Sequence, residues 1–207
     1  MALFEKHPSY ILGIWKIEES ISQLLSLLCK GENDLFFLQD CKAESRKKEW
    51  LVTRVLLWNL LGEETIIAHY PDGRPYLPDR PDLSVSISHT HNYVAVYCAE
   101  EEPVGIDIEY RSPRVMKIKN RFLTENELAM IDPAFELEHL LICWCAKETL
   151  FKLIHEEHID FREHLHIKPF SYREKGEIEV WETKTKQSKN FTLSFRVTPS
   201  FVLTFNR

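Results

Sequence analysis

The alternation of apolar and polar positions predicts a chain of short strands with two main helices. Runs rich in β-branched and aromatic residues favour strands, whereas apolar residues at a spacing of three and four favour helices. The mixture predicts an α+β fold. Strands are predicted at 10–17, 83–88, 93–98, 104–109, 177–182, 190–197 and 201–206, and helices at 43–61, from about 125, and from about 136 to 155.

A polar stretch that ends in proline divides this pattern into two parts. Glu100, Glu101 and Glu102 precede Pro103, and each side of this stretch contains strands and one main helix. Polar segments of this kind are typical of domain boundaries. We therefore predict an N-terminal α+β half at 1–102 and a C-terminal α+β half at 103–207.

Composition narrows the class of protein. Of the 207 residues, 44% are apolar and 28% are charged, which is typical of a globular protein. No apolar run approaches the length of a membrane span, and the N-terminus lacks the pattern of a secretion signal. The net charge of −6 argues against a phosphate-backbone footprint and hence against nucleic acid as the main partner. The five cysteines form no close-set framework, so we expect a cytoplasmic protein with reduced thiols.

One segment departs from the acidic balance of the chain. Residues 111–121 contain five basic side chains and no acidic one. A run of this kind is either a solvated loop or helix face, or a docking surface for an acidic partner. The sequence alone leaves both interpretations open.

Two carboxylates lie at alternate positions of the predicted strand at 104–109. Successive side chains of a strand point to opposite faces, so Asp107 and Glu109 share one face, about 7 Å apart. Two carboxylates at that distance can bind a hard cation, which prefers oxygen ligands. The alternative is a strand whose outer face is simply solvated and acidic.

The long helix supplies a third carboxylate. Glu148 falls within the apolar stripe, so the pattern predicts that it faces the core, where an isolated charge is costly unless it is paired or binds a metal. A metal ion shared by Asp107, Glu109 and Glu148 would account for all three acids. The alternative is an ion pair with Lys152, one turn away, although that lysine lies at the rim of the stripe. The stripe consists of Leu137, Leu140, Leu141, Trp144 and Phe151.

Two weaker signals have plain structural interpretations. Thr124 and Glu127 have the spacing of a capping box that begins a helix, although Glu127 could also be a fourth site carboxylate. His89 lies between two predicted strands, where a histidine either is solvated or contacts a ligand phosphate. The histidines near residue 160 lack the paired spacing of a structural zinc site.

Three motifs in this order resemble the signatures of the 4′-phosphopantetheinyl transferases, of the type that activates surfactin synthetase. They are Gly105-Ile106-Asp107-Ile108-Glu109, Phe122-Leu123-Thr124-x-x-Glu127 and Trp144-Cys145-Ala146-Lys147-Glu148. Upstream, Gly73-Arg74-Pro75-Tyr76 and Ser86-Ile87-Ser88-His89 are similar to two further family segments, with one change in each. The resemblance implies a monomer of two similar halves that bind coenzyme A and a metal between them.

The resemblance also implies roles for single residues. Asp107 and Glu148 would bind magnesium, with Glu109 binding it directly or through water, and Glu148 would also be the base that activates the acceptor serine. Lys152 would assist catalysis through the coenzyme A phosphates. The remaining positions implied to bind coenzyme A are Arg74, Ser88, His89, and Arg54 together with Lys47 or Lys48.

The reaction implied is the transfer of the 4′-phosphopantetheine arm of coenzyme A to a serine of an apo carrier protein, with release of adenosine 3′,5′-bisphosphate. Carrier proteins of this kind are typically acidic, so the 111–121 segment is the expected docking surface. Two rival functions remain: a magnesium-dependent hydrolase of another pyrophosphate, and a non-catalytic protein that binds carriers.

Overall fold

The computed structural model describes residues 2–28, 35–100 and 103–206, and the chain divides into two compact units, 1–102 and 103–207. Both units combine antiparallel sheets with helices, so the α+β prediction is confirmed. Within the described residues, no helix is both long enough and apolar enough to cross a membrane.

In the first unit, four antiparallel strands in the order β1-β2-β6-β5 pack against one long helix, α3. The helix lies close to β2 because Gly13 has no side chain, and a Cβ there would come within 2.7 Å of Leu56 Cδ1. Gly62 ends α3 in the left-handed conformation (φ 79°), as the sequence predicts. The elements are β1 (Ala2–His7), β2 (Tyr10–Lys16), α1 (Ile21–Ser26), α2 (Leu35–Asp40), α3 (Glu44–Leu61), β3 (Ala68–His69), β4 (Pro75–Tyr76), β5 (Ser84–Thr90) and β6 (Tyr93–Ala99).

In the second unit, five antiparallel strands in the order β7-β11-β10-β9-β8 pack against the long helix α6. Gly105 precedes β7, and a Cβ there would lie 2.9 Å from the Thr149 carbonyl oxygen of α6. The elements are β7 (Ile106–Tyr110), α4 (Arg114–Phe122), α5 (Glu125–Ala129), a single 3₁₀ turn (Pro133–Phe135), α6 (Glu136–Ile154), β8 (Leu165–Ile167), β9 (Lys175–Glu182), β10 (Asn190–Val197) and β11 (Phe201–Asn206).

The side chain of Asn206 fixes the start of β7. Its Oδ1 accepts a hydrogen bond from the Gly105 amide at 2.7 Å, and its Nδ2 donates to the Pro103 carbonyl at 2.8 Å. These contacts join the end of β11 to the segment that leads into β7.

All the predicted strands and helices are present, but the sequence interpretation missed short elements. The elements that were not predicted are each short or carry few apolar positions; they are strands β1, β3, β4 and β8 and helices α1, α2 and α4. The basic segment at 111–121 is largely helical, since α4 covers residues 114–122. Val115 and Phe122 on this helix are buried in the core of the unit.

Candidate active site

Strand β7 and helix α6 position the three predicted metal-binding carboxylates in the second unit. Asp107 lies in the middle of β7, opposite Thr204 of β11, and its side chain is buried. Glu109 lies two residues further along and is half-buried, as is Glu148 on α6. The two elements are in direct contact, because Gly105 allows close packing.

Lys152 contacts the strand rather than extending away from the helix. Its Nζ donates to the carbonyl oxygen of Ile106 at 2.6 Å and to Asp107 Oδ1 at 3.0 Å. The ion pair that the structure forms here therefore joins helix and strand, whereas the alternative considered from the sequence was a pair within the helix. The ammonium partly neutralises the acidic cluster.

The three carboxylates influence one another electrostatically. Burial raises the pKa of Glu148 to about 7, and the negative charges of Asp107 and Glu109 add to this rise. Lys152 opposes it, because its positive charge favours the ionised carboxylate. Like charges raise a carboxyl pKa only when they are near, so this shift reflects the convergence of β7 and α6.

The prediction that Glu148 faces the core was only partly correct. Leu140 and Leu141 of the predicted stripe are buried, but Phe151 is 41% exposed and Trp144 is half-buried. Apolar residues surround most of the helix, so their periodicity does not identify one buried side. The buried apolar positions outside the stripe include Ile142, Cys143, Cys145, Ala146, Leu150 and Leu153.

Glu148 instead borders an open cavity of about 580 Å³ in the second unit. The basic helix α4, through Arg114 and Arg121, lines another side of this cavity. Its wall thus combines carboxylates, guanidinium groups and aromatic rings. The remaining lining residues are Glu109, Tyr110, Ser112, Val115, Ile118, Phe122, Leu141, Trp144, Ile159, Asp160 and Phe161.

The acidic cluster fits a divalent cation by its chemistry, although it is not a preformed metal site. In the part of the chain that the structure describes, no three His, Cys, Asp or Glu side chains form a ready metal-binding group. Asp107 contacts Lys152, and Glu109 Oε1 accepts a hydrogen bond from Trp144 Nε1 at 3.0 Å. Three carboxylates nevertheless suit Mg²⁺, and a cation among them would relieve the repulsion that raises the pKa of Glu148.

The sequence interpretation left the role of Lys147 undefined. Its side chain is completely buried, and its Nζ donates to Glu127 Oε2 at 2.8 Å and to the carbonyl oxygens of Phe122 and Phe161 at 2.7 and 2.9 Å. Burial lowers the pKa of Lys147, and the charge of Glu127 opposes that change. The capping box of Thr124 and Glu127 is present as predicted. Glu127 therefore pairs with Lys147 in the framework of the unit, and it is not among the groups that shift the pKa of Glu148.

In the first unit, Arg54 and His89 line a separate cavity of about 250 Å³. The Arg54 guanidinium lies 3.3 Å from the centre of the Trp50 ring, which stacks on Phe37. His89 Nε2 lies 3.0 Å from Arg46 Nη1. The sequence interpretation missed Arg46 and Trp50, yet both lie on the same side of α3 as Arg54, at intervals of four residues.

The other predicted coenzyme A residues are placed differently. Arg74 pairs with Asp72 at 2.6 Å and follows Gly73, which lines the cavity. Ser88 is buried within β5, and Lys47 on α3 is half-buried, and neither lines the cavity. The structure therefore brings Arg54 and His89 together, with Arg74 at the edge.

Comparison with known proteins identifies the class of the second unit. Residues 103–204 match the model of the 4′-phosphopantetheinyl transferase superfamily, and they include β7, α6 and the acidic cluster. The second unit therefore matches that superfamily, as the sequence motifs predict.

Individual relatives agree with this assignment. The chain is 31% identical over 83 residues to a 4′-phosphopantetheinyl transferase of Bacillus subtilis, and 33% identical over 84 residues to the transferase Sfp of Bacillus subtilis strain 168. It is 30% identical over 112 residues to the transferase AcpT of Escherichia coli O157:H7. The matches cover 39%, 39% and 52% of this chain. They span only 37%, 37% and 57% of the length of these relatives.

Proposed function

We propose that this protein transfers the 4′-phosphopantetheine arm of coenzyme A to a serine hydroxyl of an apo carrier protein, in a magnesium-dependent reaction. The observation that carries the proposal is the cluster of Asp107, Glu109 and Glu148, formed by β7 and α6 beside an open cavity. It lies within the unit that matches the transferase superfamily.

The three carboxylates would hold the metal ion, with Lys152 next to them. Mg²⁺ in this position would neutralise charge on the pyrophosphate of coenzyme A and orient it for attack. Lys152 already donates to Asp107, so its ammonium lies where a phosphate oxygen near the metal could accept a hydrogen bond. Charge neutralisation by the metal ion and the hydrogen bond from Lys152 would both stabilise the adenosine 3′,5′-bisphosphate as it leaves.

Glu148 is the proposed base. It lies at the edge of the cavity, and a bound cation would favour its ionised form, which can accept a proton from the carrier serine. General bases of this kind contribute roughly 10²–10⁴-fold to a rate. The ionised form of Glu148 is needed both for proton transfer and for metal binding.

Arg54, His89 and Arg74 are proposed to bind the nucleotide part of coenzyme A. Arg54 and His89 line the cavity of the first unit, where guanidinium and imidazole groups can donate charge-assisted hydrogen bonds to phosphate. The structure offers less support for Lys47 and Ser88, which do not line this cavity. Both remain part of the proposal because of their motif positions.

The basic helix α4 is the proposed docking surface for the carrier. Arg114 and Arg121 line the cavity that Glu148 borders, and Met116 is 37% exposed on the same helix. An acidic carrier would meet both positive charge and apolar surface here, which steers encounter and fixes orientation. This arrangement would deliver the serine towards Glu148.

The protein is further proposed to be a cytoplasmic monomer built from two similar halves. Each unit has an antiparallel sheet and one long helix that approaches it at a glycine, Gly13 or Gly105, which supports two related halves in one monomer. The C-terminal half would carry the metal site. Cys98, Cys143 and Cys145 are buried thiols, which favours a reducing, cytoplasmic setting.

The test is to incubate the protein with apo carrier proteins, coenzyme A and Mg²⁺, and to weigh the carrier by mass spectrometry. We expect a gain of one phosphopantetheine arm, abolished in Asp107→Ala and retained in Asp79→Ala, an exposed position in the first unit. Circular dichroism establishes that both variants are folded. The proposal is wrong if no carrier in a broad panel gains mass, or if Asp107→Ala remains active. Release of adenosine 3′,5′-bisphosphate without any carrier would instead favour a pyrophosphate hydrolase.

A further inference from the structure

A tryptophan of α6 contacts a carboxylate of the acidic cluster. Trp144 lies one turn before Glu148, and its Nε1 donates to Glu109 Oε1 at 3.0 Å. All three side chains border the same cavity. A hydrogen bond to a carboxylate is stronger than one between neutral groups, and it restricts the rotamers of a long, half-exposed side chain such as Glu109.

Two aromatic rings hold the indole in place. Phe122 meets the Trp144 ring edge-on with a centroid distance of 5.0 Å, and Phe161 lies roughly parallel to it at 5.7 Å. Edge-on and offset-parallel contacts are the favoured arrangements of aromatic pairs. The direction of the indole N–H is therefore fixed by packing.

The buried Lys147 fixes both of those rings through the backbone. Its Nζ donates to the carbonyl oxygens of Phe122 and Phe161, so one ammonium joins the end of α4 to the loop after α6. Glu127 neutralises this ammonium. A continuous series of contacts thus runs from the buried ion pair, through two aromatic residues and Trp144, to the carboxylate of Glu109.

From this geometry we infer that Trp144 is a positioning residue, which holds the Glu109 carboxylate in the orientation that the acidic cluster needs to bind its divalent cation. The inference rests on the proposed function, because it concerns the same metal site. It assigns Trp144 a role through Glu109, without contact to the substrate. It also gives the Lys147–Glu127 pair a role in supporting the site.

The experiment compares Trp144→Phe, which keeps an aromatic ring and removes the N–H donor, with the matched control Trp181→Phe. Trp181 is another half-buried tryptophan of the second unit, stacked on His166. Mn²⁺ binding is measured by electron paramagnetic resonance with and without coenzyme A, and the Mg²⁺ concentration for half-maximal transfer is measured separately. Loss of an outer partner of a metal ligand typically weakens metal affinity about 10–100-fold.

We expect Trp144→Phe to weaken Mn²⁺ binding at least about 10-fold, with an equal melting temperature and a similar transfer rate at saturating Mg²⁺. Trp181→Phe should leave both metal measurements unchanged. In a Glu109→Ala background, Trp144→Phe should produce no further loss of Mn²⁺ affinity, because the residue acts through that carboxylate. A purely structural role would instead give multiplicative losses in the double variant.

The result that overturns the inference is unchanged Mn²⁺ affinity in Trp144→Phe, or an independent further loss in the double variant. Absence of Mn²⁺ binding by the wild-type protein overturns it as well. Failure of the proposed function has a different signature. If no carrier is modified while Mn²⁺ binding still depends on Trp144 and Glu109 together, the positioning role stands and the transfer activity is wrong.

Discussion

Replacement of Lys147 by methionine should destabilise the second unit strongly. Methionine retains most of the length of the side chain but removes three hydrogen bonds, and it leaves the buried Glu127 carboxylate without its cation. Removal of one partner of a buried ion pair typically costs about 3–5 kcal/mol. For a unit of this size, that loss corresponds to a fall of roughly 10–20 °C in the unfolding midpoint.

The free energy of unfolding is measured by urea titration with far-ultraviolet circular dichroism. Hydrogen exchange of peptides from α6 then assigns the loss to the second unit. Lys168→Met is the matched control, because Lys168 forms an exposed pair with Glu179 in the same unit, and exposed pairs contribute at most about 1 kcal/mol.

A second variant separates charge from packing. Glu127→Gln combined with Lys147→Met removes the lone buried charge, so we expect part of the stability to return. If Lys147→Met costs no more than Lys168→Met, the buried network does not hold the unit together. In that case its proposed support of Trp144 also fails.

Three further predictions concern pH and packing. The pKa of Glu148 is raised to about 7, so the free energy of unfolding of the metal-free protein should fall as pH rises from about 4.5 to 7. In Glu148→Gln this pH-dependent fall should be smaller by about 1–3 kcal/mol, as measured by urea unfolding at pH 5 and 8. Burial lowers the pKa of His139, whose Nδ1 accepts a hydrogen bond from the Asp132 amide. The melting temperature should therefore fall as pH drops below about 6.5, and His139→Asn should make this pH dependence weaker in thermal melts. Gly105→Ala should lower the free energy of unfolding by about 1–3 kcal/mol and weaken Mn²⁺ binding, because a Cβ at this position pushes α6 away from β7. An unchanged melting temperature would contradict this prediction.

Features that depend on a local pattern of residues could be predicted from the sequence. The alternation around Asp107 placed two carboxylates on one strand, Gly62 marked the end of α3, and Thr124 with Glu127 marked the start of α5. These signals are local, because strand alternation, a left-handed glycine and a capping box each act within a few residues.

Features that depend on tertiary packing could not be predicted in the same way. A lysine next to a glutamate resembles a surface pair in sequence, yet Lys147 is fully buried, and its partners are supplied by residues 14 to 25 positions away. The hydrogen bond of Trp144 to Glu109 spans 35 positions. Arg46, in contrast, could have been predicted. It precedes Trp50 and Arg54 at intervals of four residues, which places all three on the same side of α3.

The position of β7 in its sheet has a consequence for how the protein is made. This strand stands at one end of the order β7-β11-β10-β9-β8, and its partner β11 is formed by residues 201–206, nearly a hundred positions later. On the ribosome, Asp107 and Glu109 are synthesised long before the strand that pairs with theirs, and distant pairings form slowly. The acidic cluster is therefore assembled among the last parts of the molecule. A chain interrupted before β11 contains all three carboxylates of the cluster but cannot pair β7 with its neighbouring strand.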